Sequence, residues 1–320
     1  MTELSPGASD RPPGRRPSVD VVGALPPVSY GTWALAGLVL LFGVQGALSL
    51  AGNPNLGWPV VGQYLFDPLV LRGVAMTLLL TALAMSFGIV LGGILSACRM
   101  SGNGVLQALS FGFVWLFRGT PLLVQIIFWF NIALVVPRFT LGLPFGPAWF
   151  SVDANSVVTP LLAAVVGLGL HEAAYQAEIY RAGLLSVGDG QVDAAKALGM
   201  KPARIFCTVR LPQAMRFIVP PTFGQVIGMT KGTAIVSVIG GGDLLFSVQE
   251  IYGQTFQTIP LLIVASVWYL AITTGLNVAQ YAIERYYERG VRAERVAFAP
   301  SLWTTLASGG RAADRGAADV

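Results

Sequence analysis

GVAMTLLLTALAMSFGIVLGGILSAC, residues 73–98, runs for 26 positions without an Asp, Glu, Lys, Arg or His and is bracketed by Arg72 and Arg99. A bilayer core of about 30 Å takes roughly 20 apolar helical residues to cross, so this stretch reads as a membrane-spanning helix. The same test applied outward gives five more spans. Residues 32–51 lie in an uncharged run, and residues 259–283 carry no charge. Residues 104–117 and 119–137 form one region split by Arg118. Residues 157–170 run on into a helix bearing His171, Glu172 and Glu178, and residues 217–239 are interrupted by Lys231. The expectation is an all-α integral membrane protein of about six transmembrane helices.

The composition excludes the alternatives. Hydrophobic residues make up 54% of the 320 and charged residues 11%, against roughly 25% charge in soluble domains; the mean hydropathy is +0.66. A soluble enzyme or nucleic-acid module could not cover its surface with so few solvated groups. Cys98 and Cys207 stand too far apart in sequence for a disulfide framework, and the single His171 rules out a multi-histidine metal site within one chain.

The basic residues set the topology by the positive-inside rule. With the N-terminus in the cytoplasm and six alternating spans, sixteen of the 20 Lys and Arg fall on the cytoplasmic side, among them Arg11, Arg15, Arg16, Arg99, Arg181, Lys196, Lys201, Arg204, Arg210, Arg216 and the arginines from Arg285 onward. Only Arg72 and Arg138 fall outside, with Arg118 and Lys231 at membrane depth. The net charge of +4 therefore reflects topology rather than nucleic-acid binding. Residues 1–29, rich in proline, and residues 290–320 read as disordered cytoplasmic tails. Residues 30–52 form an extra N-terminal helix; Ser49-Leu50-Ala51 would also suit a signal-peptidase site.

Between the fourth and fifth spans lies a basic segment, residues 178–216, of nearly forty residues with its own helical grammar. Gln191 to Leu198 (QVDAAKAL) holds good helix formers, Gly199 stands where a C-terminal cap is wanted, and Pro202 suits the first turn of a second helix. The product is a short helix, a sharp turn and a second helix that ends at Val209-Arg210-Leu211-Pro212. The small Ala194 and Ala195 allow close packing into a groove of another protein; an interfacial amphipathic helix touching only lipid fits the same pattern.

Asp193-Ala194-Ala195, three residues, Gly199, nine residues, Val209, one residue and Leu211-Pro212 resemble the "EAA" loop of ABC-importer permeases, Glu-Ala-Ala-x3-Gly-x9-Ile-x-Leu-Pro. Asp193 and Val209 depart from it while keeping charge or shape. Gly73–Leu78, Arg118-Gly119-Thr120-Pro121-Leu122-Leu123-Val124-Gln125, Ala174-Tyr175-Gln176-Ala177-Glu178-Ile179-Tyr180-Arg181 and the segment Lys231–Gly240 resemble the polar amino-acid branch of that superfamily. Further departures are Gly188-Asp189, where Pro-Lys is frequent, and His171-Glu172, where small residues are common. The resemblance covers residues 70–285, with the EAA loop at 186–212. It implies a type I ABC-importer permease core: the inner-membrane subunit that, with a second identical or related permease, encloses the path of a polar amino acid. An extracytoplasmic binding protein would deliver the cargo. Gln191, Asp193, Ala194, Ala195, Gly199, Leu211 and Pro212 would dock on the ATPase subunits. The chain has no phosphate loop of the G-x-x-x-x-G-K-[ST] kind, so ATP and Mg would be bound by the partner ATPase, with no cofactor, catalytic residue or metal in this chain.

Ionisable groups at membrane depth are functional candidates because each is costly unless paired or wet. His171, Tyr175 and Glu178 share one helical stripe, and Glu172 lies on a neighbouring face. A zwitterionic amino acid needs an anion or a neutral acceptor for its ammonium, a side on which the Glu172 carboxylate and a neutral His171 could serve. It also needs a cation or helix start for its carboxylate, offered by Arg118, Lys231 or Thr120-Pro121. The candidate path is therefore Arg118, His171, Glu172, Tyr175 and Lys231. Structural alternatives stand beside several of these groups: Glu178 pairing with Arg181, Arg118 anchoring a break before a helix capped by Thr120, Lys231 snorkelling or neutralising a neighbouring acid, and His171 neutral and hydrogen-bonded. Glu172 is the strongest candidate, because its carboxylate has no evident partner nearby in sequence. A rival function is a proton-coupled secondary carrier with Glu172 and His171 as relay. It leaves the long loop unexplained. A membrane-embedded enzyme lacks facing metal ligands.

Overall fold

The computed structural model describes residues 30–142 and 148–287; the two expected tails, 1–29 and 290–320, lie outside them. The chain divides into two units, residues 1–56 and 57–320. In the first, α1 (Tyr30–Ala51) is one helix of 22 residues without a charge, long and apolar enough to cross a bilayer.

The second unit begins with α2 (Trp58–Tyr64), followed by α3 (Pro68–Arg99), α4 (Gly104–Gly119) and α5 (Leu122–Phe130). A hairpin of β1 (Arg138–Gly142) and β2 (Ala148–Asp153) leads through α6 (Ala154–Val157) into α7 (Pro160–Leu185). Next come α8 (Asp189–Ala197), α9 (Pro202–Ile205), a π turn (Phe206–Arg210) and α10 (Leu211–Gly232). A 3-10 segment (Thr233–Ile239), α11 (Leu244–Thr255) and α12 (Thr258–Tyr287) complete it. The helix α3 starts at an Asp67 cap, whose side chain accepts from the Leu69 amide, with proline in its first turn, where the missing N–H costs nothing.

Three helices (α1, α3 and α12) qualify as spans by length and apolarity, as do two bent pairs, α4 with α5 and residues 202–239 with α11. The sixth expected span is α7, 26 residues long, whose polar stripe sets it apart from the uniformly apolar helices. The third region is the sharpest departure from a simple span. At 1.5 Å per residue its two pieces would make about 46 Å of helix, too long for one straight crossing, and the chain resolves this with a bend of 104° between α4 and α5. Thr120 does not cap α5 as expected; Pro121 is the N-cap and Thr120 closes α4, its hydroxyl donating to the Leu116 carbonyl at 2.8 Å. Gln125 knits the bend, its Nε2 donating to the Phe117 carbonyl at 2.9 Å and to Thr120 Oγ1 at 2.7 Å.

The most extensive helix pairing is α3 against α7. Lipid tails are as apolar as leucine, so helices associate in a bilayer chiefly through close packing, and small residues permit it. Gly88 and Gly92, four apart on α3, meet Glu172 and Gln176 of α7: a Cβ on either glycine would fall 2.6 Å from its partner's side chain. Around this seam, Leu80, Ala84, Ile126, Leu168 and Val236 form one buried cluster. Val70, Leu244, Val248, Leu261 and Val264 form another, which ties α12 to the start of α3.

Two further details depart from the sequence reading. In sequence, Gly240-Gly241-Gly242 with Asp243 and Glu250 reads as an outer loop whose acids contact a binding protein or are simply solvated. The structure instead forms α11 over Leu244–Thr255. Glu250 is exposed, whereas Asp243 is 0% exposed and N-caps α11, accepting from the Leu245 amide at 3.0 Å. A capping aspartate before an apolar run looks in sequence like a loop acid; Gly240 and Gly242, both with φ of 72°, separate it from the preceding segment. The loop after α5 contains the β1–β2 pairing, Arg138 to Asp153 through Leu141 to Phe150, which alternation over so short a stretch does not signal.

Candidate functional site

The loop between α7 and α10 is built from the cap inward. Gly199 takes φ of +74°, left-handed backbone that L side chains rarely adopt. Its amide donates to the Lys196 carbonyl at 2.9 Å, and the Met200 amide to the Ala195 carbonyl at 3.2 Å. These are the two bonds of a Schellman cap, and they fix the reversal between α8 and α9. The expected short helix, sharp turn and second helix are present. The second helix does not end at Leu211-Pro212, however: α9, the π turn and α10 follow one another without a gap. Pro212 lies in the first turn of α10, and the π turn just before it absorbs the hydrogen bond that proline cannot donate. The elbow is thereby continuous with the fifth span.

The matched positions divide by face. Ala195 is buried on α8, which packs against α9 and the π turn; Gln191, Asp193, Ala194, Gly199 and Pro212 are exposed, and Leu211 is half-buried. Asp193 accepts from Lys196 Nζ at 2.8 Å, and Gln213 Nε2 donates to Gln191 Oε1 at 3.1 Å, bracing α8 against α10. Leu198 is 82% exposed at the tip. Sequence reasoning passed over it, although a bare leucine before the capping glycine of a docking helix is itself a signal.

Inward of the loop, two cavities of about 440 and 430 Å³ share Arg118, Tyr175 and Glu178. The first is completed by α10 residues including Pro221 and Gln225. The adjacent Pro220 and Pro221 lie inside that helix and withhold two backbone donors beside the cavity. The Arg118 guanidinium lies 5.0 Å from the Tyr175 ring centroid, a cation–π arrangement, and the His171 ring is 5.0 Å from Tyr175. Glu178 binds Arg181 through Nη2 at 2.7 Å and Nε at 3.0 Å, the pairing its spacing suggested. It also faces Arg99 of α3 at 3.6 Å. Arg99 was assigned only to the cytoplasmic charge count; its place at this site follows from tertiary packing that sequence spacing does not reveal.

The five path candidates do not all converge. Arg118 and Tyr175 line both cavities, and His171 reaches them through the Tyr175 ring. Glu172 is 2% exposed, faces the α3 seam at Gly88 and lines neither cavity, with Oε1 lacking a hydrogen-bond partner. Lys231 is exposed in the last turn of α10, beyond Gln225, and lines neither cavity. Among the described residues no group of three or more His, Cys, Asp or Glu could hold a metal ion.

Residues 88–292 match the family described as binding-protein-dependent transport system inner membrane component. The arginine transport system permease protein ArgU of Corynebacterium glutamicum is 39% identical over 294 residues, 91% of this chain and 89% of that protein. The arginine transport system permease protein ArtQ of Bacillus subtilis is 33% identical over 218 residues, 68% of this chain and 92% of that protein. Among solved structures, one described as an amino acid ABC transporter with histidines superposes with a TM-score of 0.59 at 32% identity, covering 69% of this chain and 95% of its own. The EAA-type loop, the glycine-packed helical core and these similarities together place the chain in the family of binding-protein-dependent transport inner-membrane components.

Proposed function

We propose that the chain is the permease subunit of an ATP-driven importer for a polar amino acid, with arginine the first candidate cargo. Two permease subunits, identical or related, would enclose the path; an extracytoplasmic binding protein would supply it, and two ATPase subunits would drive it. The observation that carries this reading is the loop: a capped elbow whose far arm continues into a span. A rigid connection of that kind converts movement of a docked partner into movement of α10, which a secondary carrier would not need. Family membership also favours the importer over the carrier with Glu172 and His171 as proton relay. ATP and Mg belong to the partner subunits in this reading, and the chain itself carries out no chemistry. The loop and both termini face the cytoplasm, in keeping with the distribution of basic residues.

Within the path, Arg118 and Tyr175 stand where a substrate carboxylate and an apolar stem would be received, the guanidinium offering a two-pronged contact. His171 supports Tyr175. Glu172 and Lys231 would join the path only in a conformation that turns them toward it. The test is reconstitution: the permease is co-expressed with the ATPase subunits and uptake of labelled amino acids into proteoliposomes is measured with the receptor present. ATP-dependent uptake of arginine or another polar amino acid supports the proposal. Uptake driven by a proton gradient without ATPase would overturn it.

A further inference from the structure

A third cavity, of about 430 Å³, lies apart from the substrate-path candidates, at the root of the loop. Its walls come from the end of α3 (Gly93, Ser96, Ala97, Met100), the end of α7 (Tyr180, Leu184) and the π turn with the start of α10. Three helices and the elbow meet there. The lining is apolar except at Ser96, Tyr180 and Arg210. Arg210 is half anchored, its Nε donating to the Leu184 carbonyl at 3.1 Å, which leaves the two terminal amino groups of the fork without a protein partner among the hydrogen bonds of the described residues. Ser96 is 2% exposed, and its hydroxyl also lacks a hydrogen-bond partner. An apolar chamber of this size falls within the range of ligand sites, and a fixed guanidinium at its edge selects an anion.

We propose that this cavity holds one acyl chain of an anionic phospholipid, with the lipid phosphate on Arg210. The occupant follows from the surroundings. The cavity lies where α3 ends at Arg99 and α10 begins at Leu211, the level at which a spanning helix leaves hydrocarbon for headgroups. The segment 178–216 carries six basic residues against three acidic ones, which attracts anionic lipid to that level. Phe206, exposed on the π turn, adds apolar surface beside the opening. The lipid would be a wedge between α3, α7 and the elbow, so its presence would set how stiffly the loop is joined to α10. This rests on the reading that the loop faces the inner leaflet.

The experiment is native mass spectrometry of the permease co-purified with its ATPase subunits and exchanged into detergent with phosphatidylglycerol or phosphatidylcholine. Two variants act differently: Arg210→Gln removes the charge, and Gly93→Leu fills the chamber. A Cβ at Gly93 meets only the Tyr180 ring edge at 3.7 Å, ordinary contact. The wild-type chain is expected to retain phosphatidylglycerol over phosphatidylcholine about tenfold: either phosphate can accept from Arg210, but the choline ammonium is repelled by the basic segment around it, whereas phosphatidylglycerol keeps its net negative charge. Arg210→Gln should lose most of that preference and Gly93→Leu should lose retention of either lipid, both eluting monodisperse with the ATPase. Added inorganic phosphate should not displace the lipid; displacement would mean a free-anion site and overturn the acyl-chain assignment. Equal retention in wild type and both variants overturns the proposal as a whole. The readout needs neither nucleotide nor a known orientation, so an importer that binds ATPase normally yet retains no lipid sinks this site alone. Failure of the wild type to hold any ATPase sinks the functional reading instead.

Discussion

Replacing Gly92 by alanine should separate α3 from α7. An added Cβ would lie 2.6 Å from Gln176 Cβ, 3.0 Å from the Ala173 carbonyl oxygen and 3.1 Å from the Ala177 amide nitrogen. Two of these are backbone atoms of the facing helix, so no rotamer change can relieve them, and carbon contacts normally sit at about 3.5–4.0 Å. The helices must part by roughly 1 Å, and overpacking of that kind costs about 1–3 kcal/mol. Alanine also gains about 1 kcal/mol of helix propensity over glycine, which would obscure the measurement in isolation. Gly112→Ala on α4 supplies the control, since nothing lies within 4 Å of its Cβ. The difference between the two variants cancels the propensity gain and leaves the packing cost. At about 2–4 °C per kcal/mol for domains of 150–250 residues, Gly92→Ala should melt several degrees below Gly112→Ala. The assay is a thermal melt in detergent with a thiol-reactive dye, in a Cys207→Ser background so that the partly covered Cys98 reports unfolding. If Gly92→Ala melts at or above Gly112→Ala, the seam is not close-packed as described and the reasoning fails.

Gly199→Ala forces an alanine into φ of +74°, costing about 1–2 kcal/mol; hydrogen exchange of the α8–α9 segment should accelerate while the spans remain protected. Arg118→Gln should weaken uptake of every amino acid carried, whereas Arg118→Lys should recover part of it, because lysine keeps the charge but loses the two-pronged contact; equal uptake in all three would remove Arg118 from the path. Asp243→Ala removes the N-cap of α11 and should lower stability by about 0.5–2 kcal/mol, with Asp243→Asn close to wild type, read by the same thermal melt.

Much of the fold was legible because a bilayer imposes a coarse and unforgiving code. Charge-free runs located α1, α3 and α12, and the elbow was legible because Gly199 and Pro202 each have a backbone reason to stand where they do. What escaped depended on distant partners. Arg99 reaches Glu178 only because α3 and α7 cross closely at their glycines. Glu172, the acid with no local partner in sequence, faces that crossing rather than a cavity, a placement that periodicity alone could not distinguish from one facing the path. The bend at Thr120–Pro121 was visible as a break but not as an angle, because its geometry is held by Gln125, a residue whose amide looks unremarkable in sequence. Asp243 reads as a loop acid until the helix it caps is seen.

The central claim is that the elbow touches the ATPase, and cross-linking tests it most directly. A photoreactive amino acid placed at Leu198, an apolar side chain 82% exposed at the elbow's tip, should cross-link to the ATPase subunit in membranes, with a yield that changes when ATP is added. Cross-links to lipid alone, or modification of a cysteine at that position by a membrane-impermeant reagent applied from outside the cell, would contradict it.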